Sequence, residues 1–248
     1  MQGDEHEWEE LARLDPLWAV LSERDRKSGR WSLAEFFATG EEEVERILAL
    51  VARLGLPGRR DRALDFGCGV GRTTRALAAR FEEVLALDIS PTMIEQARRI
   101  NAGLRNVSFV VASLDEVERS SYDLVWSLLV LQHLTVAEAE SAVESLTSLL
   151  RPGGAAVFQL PYAARPLHRL QLSRRSYRIL RSAGVSATTI HRRTPLTPMR
   201  MSVVPHGRVA AAVDRGGGRV VAVEPYGAQD VHTPSSLYVA TRSRASPT

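Results

Sequence analysis

At 248 residues, with 44% hydrophobic and 25% charged residues, the chain has apolar material for one α/β domain with an appendage, and two independent cores would be cramped. Its single cysteine, Cys68, excludes an intrachain disulfide, a cysteine-built metal site and a catalytic cysteine pair, and the six histidines are too dispersed to suggest a metal. The net charge of +3 conceals a gradient: residues 1–50 carry 13 acids and 6 bases, whereas residues 151–248 carry 15 arginines and three acids.

The stretch EEEVERILALVARLGLPG, from residue 41, spaces Val44, Ile47, Leu48, Val51 and Leu54 as one face of a helix, stopped by Gly55, Pro57 and Gly58. Short apolar runs then alternate with helical patterns: RALDF and a helix over 73–80, VLALD and a helix over 92–100, NVSFVV, then YDLVWS and a helix over 136–149. AAVFQL follows a turn at Arg151-Pro152-Gly153-Gly154. This alternation predicts right-handed βαβ units and a mostly parallel sheet. Residues 162–200 break the pattern: they hold no acid, a predicted helix over 165–183, and a loop with Pro195 and Pro198. A helix near 207–214 and the strands RVVAVEP and SLYVATR close the fold, the last two spaced to pair antiparallel. SRASPT, 243–248, reads as a tail.

Between the first strand and its helix stands Asp65-Phe66-Gly67-Cys68-Gly69-Val70-Gly71. Glycines there permit positive φ and close approach of the backbone to a ligand, while free N–H groups at the helix start favour an anion. A tight turn alone would also account for a glycine triplet. The spacing is G-x-G-x-G, and Arg72 stands where the dinucleotide fingerprint wants its last glycine. Asp88 ends the second strand, where a carboxylate can accept both hydroxyls of a ribose, in an NAD site as in any adenosine site.

DFGCGVGR, LALDISPTMIEQAR, YDLVWSLLVLQHL and LLRPGGAAVFQLP, in this order, resemble the class I S-adenosylmethionine-dependent methyltransferases, especially their small-molecule group. The likeness is strongest over residues 41–161. It implies a Rossmann-like α/β fold, with a seven-stranded sheet of order 3-2-1-4-5-7-6, strand seven antiparallel and helices on both faces. It further implies a cofactor-binding core at 41–161, a helical lid insertion at 162–200, and a closing helix with two strands at 201–242. By the same resemblance residues 1–40 form a helical segment folded over the cofactor, with Phe37, Thr39 and Gly40 as contacts. Asp65 and the backbone of Gly67, Cys68, Gly69 and Gly71 would hold the methionine end. Asp88 would take the ribose, Ile89 would pack on adenine, and Ser127 would complete the set. Where such families often place an Asp for the adenine amine, this chain has Ser113 and Leu114. The product would be S-adenosylhomocysteine.

The resemblance places His133, after strand four, opposite the donor methyl, and its ordinary pKa of about 6.5 suits a general base. Simple packing is its other reading. Gln159 and Tyr162, at the end of strand five, point to the same crevice as substrate contacts. His6, His168, His191, His206 and His232 read as surface residues.

The arginines of 162–200 (Arg165, Arg169, Arg174, Arg175, Arg178, Arg181, Arg192 and Arg193) suit three partners: the acidic N-terminal segment, an anionic acceptor, or RNA phosphates. Lys27 is the only lysine, so the arginine loading reflects in part a general preference for Arg. The segment SLLVLQHL lacks the D/N-P-P-Y/F box of adenine-amine methyltransferases, and Cys68 lies inside the glycine loop, away from any acceptor base. The expected activity is therefore O-methylation of a hydroxyl or carboxyl on a small molecule of secondary metabolism. An RNA methyltransferase and a non-catalytic cofactor-binding protein are the alternatives. No apolar run nears the roughly 18 residues of a membrane span, and the start MQGDEHEWEE is acidic, so a cytoplasmic protein without a membrane partner is expected.

Overall fold

The computed structural model describes residues 2–164, 170–227 and 233–243. Two helices open the chain, α1 (Gln2–Leu14) and α2 (Pro16–Val20); Pro16 sits in the first turn of α2, where its missing N–H leaves no helical bond unmade. The first core helix, α3 (Leu33–Arg53), begins earlier than its acidic run at 41 suggests. Ser32 caps it by accepting the Glu35 N–H, and Phe36, Phe37 and Gly40 extend the buried stripe of Val44, Ile47, Leu48 and Val51.

The core follows in the expected alternation: β1 (Arg62–Phe66), α4 (Thr74–Ala78), β2 (Glu83–Asp88), α5 (Pro91–Ile100), β3 (Val107–Val111), β4 (Tyr122–Ser127), α6 (Val136–Ser148) and β5 (Leu150–Pro161). The Arg151–Gly154 stretch, expected as a turn, lies inside β5: Leu150 pairs with Tyr122, and a register shift before Leu124 absorbs the extra residues. Then come α7 (Leu172–Ser182), α8 (Ala187–Arg193), α9 (His206–Arg215), β6 (Arg219–Tyr226) and β7 (Ser235–Thr241). The start of the helix expected over 165–183 lies outside the described residues. Helix α8 was not legible as one, since Thr188, Thr189 and Ile190 are weak helix formers. A Ser186 cap and the burial of Ala187, Ile190 and His191 hold it.

The seven strands run in the order β3-β2-β1-β4-β5-β7-β6, with β7 antiparallel to both neighbours. β4 is buried along its whole length, as a central parallel strand covered on both faces must be. On one face Leu64, Val125, Ala156 and Phe158 pack under α6 and α9. On the other Ala63, Leu124, Trp126 and Val157 pack under α3 and α4. Helices on both faces leave the C-terminal ends of β1, β2 and β4 converging on one crevice edge, which is where open α/β sheets bind ligands. Among the described residues no helix is long and apolar enough to cross a membrane.

Candidate functional site

The loop between β1 and α4 takes its shape from three glycines, with φ of +74° at Gly67, +54° at Gly69 and +89° at Gly71. A Cβ on Gly67 would lie 2.3 Å from Val130, and one on Gly69 would lie 2.4 Å from Val20 of α2. The surface of the loop is thus bare backbone that other groups approach closely.

The backbone N–H groups of Gly67, Cys68, Gly69 and Gly71 are taken within the protein. Gly67 and Cys68 both donate to the Leu87 carbonyl, at 2.8 and 2.9 Å, and Gly71 donates to the Cys68 carbonyl. The Gly69 N–H goes to Asp88 Oδ2 at 2.9 Å. Shape, and not N–H donation from these four residues, is what the loop offers a ligand. The Cys68 thiol turns inward among Ala86, Ile94, Ala97 and Phe109, where burial pushes its pKa well up. Only its backbone lies along the loop.

Asp65 is engaged within the protein. Its Oδ2 accepts the hydroxyls of Thr73, at 3.1 Å, and Thr74, at 2.6 Å, and burial raises its pKa to about 6. The carboxylate fastens the start of α4 and is 2% exposed. Asp88 does stand at the crevice edge. Its two oxygens each accept one backbone N–H, from Gly69 and Ser90, and desolvation raises its pKa. A carboxylate has further lone pairs for hydroxyl donors. Beside it Ile89 is 46% exposed, an apolar face open at the end of β2. Ser127, at the end of β4, is fully buried, and its Oγ has no protein partner.

The other expected contacts are engaged elsewhere. Ser113 and Glu116 form a reciprocal capping box around a short helical turn, with Ser113 itself exposed. Leu114 packs against the core under α6. Phe37 is buried with Trp18, Trp31, Val70 and Met93 under the N-terminal helices. The Thr39 hydroxyl donates to the Phe36 carbonyl, and Gly40 lets α3 pass against the Arg72 carbonyl, 2.2 Å from where its Cβ would be.

His133, Gln132 and Gln159 form one buried chain. The Leu129 N–H donates to Gln159 Oε1 at 3.3 Å, Gln159 Nε2 donates to Gln132 Oε1 at 3.1 Å, and Gln132 Nε2 meets His133 Nε2 at 3.2 Å. His133 Nδ1 lies 2.7 Å from the Arg200 carbonyl, which only accepts, so Nδ1 carries the proton and Nε2 receives the Gln132 amide. Burial lowers the His133 pKa to about 4. With both ring nitrogens engaged and so low a pKa, the imidazole is poorly placed for the base role expected of it. Gln159 faces this chain, while Tyr162 stacks on His206 at 4.5 Å, so the two expected substrate contacts do not meet. Gln132 went unremarked in the sequence, although it stands beside His133 in LQHL.

The N-terminal helices link all these parts. Glu9 takes the hydroxyls of Ser90 and Thr92 at the start of α5; desolvation opposes its ionisation, but these bonds outweigh it and lower the pKa. Trp8 meets the His133 ring edge-on at 4.8 Å. Toward the insertion, Glu7 pairs with Arg178 at 2.9 Å and Arg174 at 3.5 Å, and Glu10 pairs with Arg181 at 2.9 Å. His191, expected at the surface, is buried against Asp15 at 3.2 Å. Of the three partners considered for the arginines, the acidic N-terminal segment is the one these three meet; Arg165, Arg169, His168 and His232 lie outside the described residues. Among the described residues no cluster of His, Cys, Asp and Glu suits a metal.

A family model described as "Methyltransferase domain" matches residues 63–154. Trans-aconitate 2-methyltransferase of Methylobacterium radiotolerans is 36% identical over 144 residues, covering 56% of this chain and 53% of that protein. Malonyl-[acyl-carrier protein] O-methyltransferase of Enterobacter lignolyticus is 41% identical over 113 residues, covering 44% and 42%. The chain spans about half the length of the first of these relatives, and less of the second. Among solved structures, magnesium protoporphyrin IX methyltransferase from Synechocystis PCC 6803, with bound S-adenosylhomocysteine, superposes with a TM-score of 0.59 at 19% identity, over 92% of this chain and 98% of that one. The N-methyltransferase NodS from Bradyrhizobium japonicum, also with S-adenosylhomocysteine, gives 0.60 at 17% identity over 97% of each. At such identities the likeness is one of fold, and it extends past the matched core to the closing strands. The sheet order, the glycine loop and the matched domain agree: residues 63–154 match a methyltransferase domain, and the fold around them is the Rossmann-like seven-stranded fold of the class I S-adenosylmethionine-dependent methyltransferases.

Proposed function

We propose that this protein is an S-adenosylmethionine-dependent methyltransferase acting on a small molecule, by O-methylation of a hydroxyl or carboxyl. The observation that carries the reading is the bare glycine backbone at the β1–α4 turn beside the Asp88 carboxylate at the end of β2. The residues present fit the cofactor: Asp88 retains acceptor capacity for ribose hydroxyls, Ile89 presents an apolar face for a purine, and the orphaned Ser127 Oγ awaits a polar partner. When bound, S-adenosylmethionine supplies an electrophilic methyl on a sulfonium.

The chain's own part is alignment and exclusion of water. Transfer from a sulfonium is an in-line displacement, so holding donor and acceptor in register supplies much of the acceleration. Helix α2 covers the loop through Val20, and the Gln159–Gln132–His133 chain fixes the segment after β4. His133 serves here as a rigid neutral wall of the crevice, with the Arg200 carbonyl holding its tautomer. Replacing it with Ala should then lower turnover less than about tenfold, whereas a base would cost a hundredfold or more.

Calorimetry with S-adenosylhomocysteine and with NAD tests the reading. Micromolar or tighter binding of the first and none of the second is expected; NAD binding alone would overturn it. Asp88→Asn should weaken S-adenosylhomocysteine about tenfold or more, because an amide offers one acceptor oxygen where the carboxylate offers two.

A further inference from the structure

Resting on the methyltransferase reading, we infer that Gln159 is a positioning residue for the donor. It holds Leu129, just past the end of β4, in a left-handed backbone conformation, and that conformation keeps Val130 seated on the glycine loop. The φ of Leu129 is +63°. In that region the Cβ crowds the following carbonyl, so residues other than glycine, or Asn and Asp with their short bonding side chains, need outside support. Among the described residues the other non-glycine positions of positive φ, Ser28, Ser120 and Gln171, are polar. Leu129 has no polar side chain with which to steady its own backbone, and strain of this kind persists only where the surroundings enforce it.

The enforcement comes from β5. Gln159 is 1% exposed there, its backbone paired with Leu237 of β7, and its Oε1 accepts the Leu129 N–H at 3.3 Å. Which end of that amide faces Leu129 is decided at the far end of a chain of bonds. The Arg200 carbonyl only accepts, so it fixes the proton on His133 Nδ1, and Nε2 then accepts from Gln132 Nε2. Gln132 Oε1 accepts from Gln159 Nε2, which leaves Gln159 Oε1 for Leu129. Each group has a single role, and the polarity runs from a carbonyl of the insertion to one amide after β4. Gln132 is itself anchored, its own carbonyl accepting the Ser202 N–H at 2.7 Å. A buried amide with its bonds made is costly to turn, which is what a hold on strained backbone requires.

Val130, the next residue, carries the consequence. Its methyls lie 2.3 and 2.7 Å from where a Cβ on Gly67 would be. Returning Leu129 to the right-handed region turns its φ through roughly 130°, which redirects the chain leading into Val130 and takes that side chain off Gly67. The Leu129 N–H thereby couples a side chain of β5 to the loop that would carry the donor.

Calorimetric titration of S-adenosylhomocysteine into the full chain tests this with wild type, Gln159→Met, Leu129→Gly and the double variant. Methionine keeps the length of glutamine but offers no comparable acceptor. In the wild-type background Gln159→Met should weaken binding about threefold or more, the worth of a lost hydrogen bond. In the Leu129→Gly background the same change should cost clearly less, because glycine adopts positive φ unaided. An amide that merely stabilised the core would cost as much in either background. If Gln159→Met fails to fold, Leu129→Val and Leu129→Asn, at a half-buried position, carry the test. The β-branched side chain resists positive φ and should weaken S-adenosylhomocysteine about threefold or more, while Asn tolerates it and should bind more tightly than Val.

Equal costs of Gln159→Met in the two backgrounds overturn the inference. So does a cost below about threefold in the wild-type background, or equal binding by Leu129→Val and Leu129→Asn. Failure of wild type to bind S-adenosylhomocysteine is a separate result, which overturns the methyltransferase reading. Hydrogen exchange of the Leu129 amide on the unloaded chain then reads the hold: exchange about tenfold or more faster in Gln159→Met supports it, and a smaller change overturns it.

Discussion

Single carboxylates and one imidazole carry much of the pH behaviour of this molecule. Asp65, with its pKa raised to about 6 from an ordinary 3.8, keeps its proton in the fold over a range where the unfolded chain has lost it. Its contribution to stability is greatest below about pH 4 and declines as pH rises to about 6, by an amount on the order of 3 kcal/mol at most. His133 runs the other way. Lowered to about 4 from 6.5, it stays neutral in the fold while the unfolded chain takes up a proton, so its contribution is present above about pH 6.5 and lost as pH falls toward 4. Urea unfolding of wild type, Asp65→Asn and His133→Gln across pH 4–7 checks both. The gap between wild type and Asp65→Asn should move against wild type with rising pH, and that for His133→Gln in its favour. Neither shift is readable from residue type, because burial causes both. At the glycine loop, by contrast, the residue type is decisive: Gly69→Ala must hold a φ of +54° and displace Val20, and should cost about 1–3 kcal/mol in thermal unfolding.

Among the elements, the strand-and-helix core from β1 to β5 was legible, since its apolar periods and glycine or proline stops are local signals. The elements that failed to announce themselves are those that depend on distant partners. The start of α3 is set by a Ser32 cap and by burial of Phe36 under Trp31, and α8 by Ile190 and His191 finding Tyr177 and Asp15. Helix α1 is the clearest case: its acids were one of three partners that suited the insertion's arginines, and Glu7, Glu9 and Glu10 each have a named partner 80 or more residues away. This predicts that Glu9→Ala, which frees α1 from the start of α5, speeds dissociation of S-adenosylhomocysteine several-fold in stopped-flow measurements while barely changing global unfolding. Unchanged dissociation would mean that α1 does not gate the donor site.

For the whole molecule, two apolar layers on either side of the sheet supply the stability, and acid–arginine pairs fasten the N-terminal segment across the crevice. The two kinds of interaction respond differently to salt. Raising NaCl to about 0.5 M shortens the screening length to a few ångströms and weakens the partly exposed pairs, leaving the apolar core untouched. Limited proteolysis should then release residues 1–22 faster without a matching fall in the midpoint of core unfolding. Equal loss of both would show that the segment belongs to the core's cooperative unit.

What the sequence by itself determined is the domain class, the order of its strands and helices, and the place of the donor loop. These follow from period, from residues that alone tolerate certain backbone angles, and from a resemblance carried by contiguous motifs. The tertiary structure alone decided which polar groups remain available at that loop. Asp65 and the N–H groups of Gly67, Cys68, Gly69 and Gly71 are satisfied within the protein, whereas Asp88 keeps acceptor capacity and Ser127 Oγ is left without a partner. It also decided that the acidic start of the chain meets arginines of the insertion. Hydrogen-bond satisfaction and ion pairing are set by distances between segments far apart in the chain, and no local pattern encodes those distances.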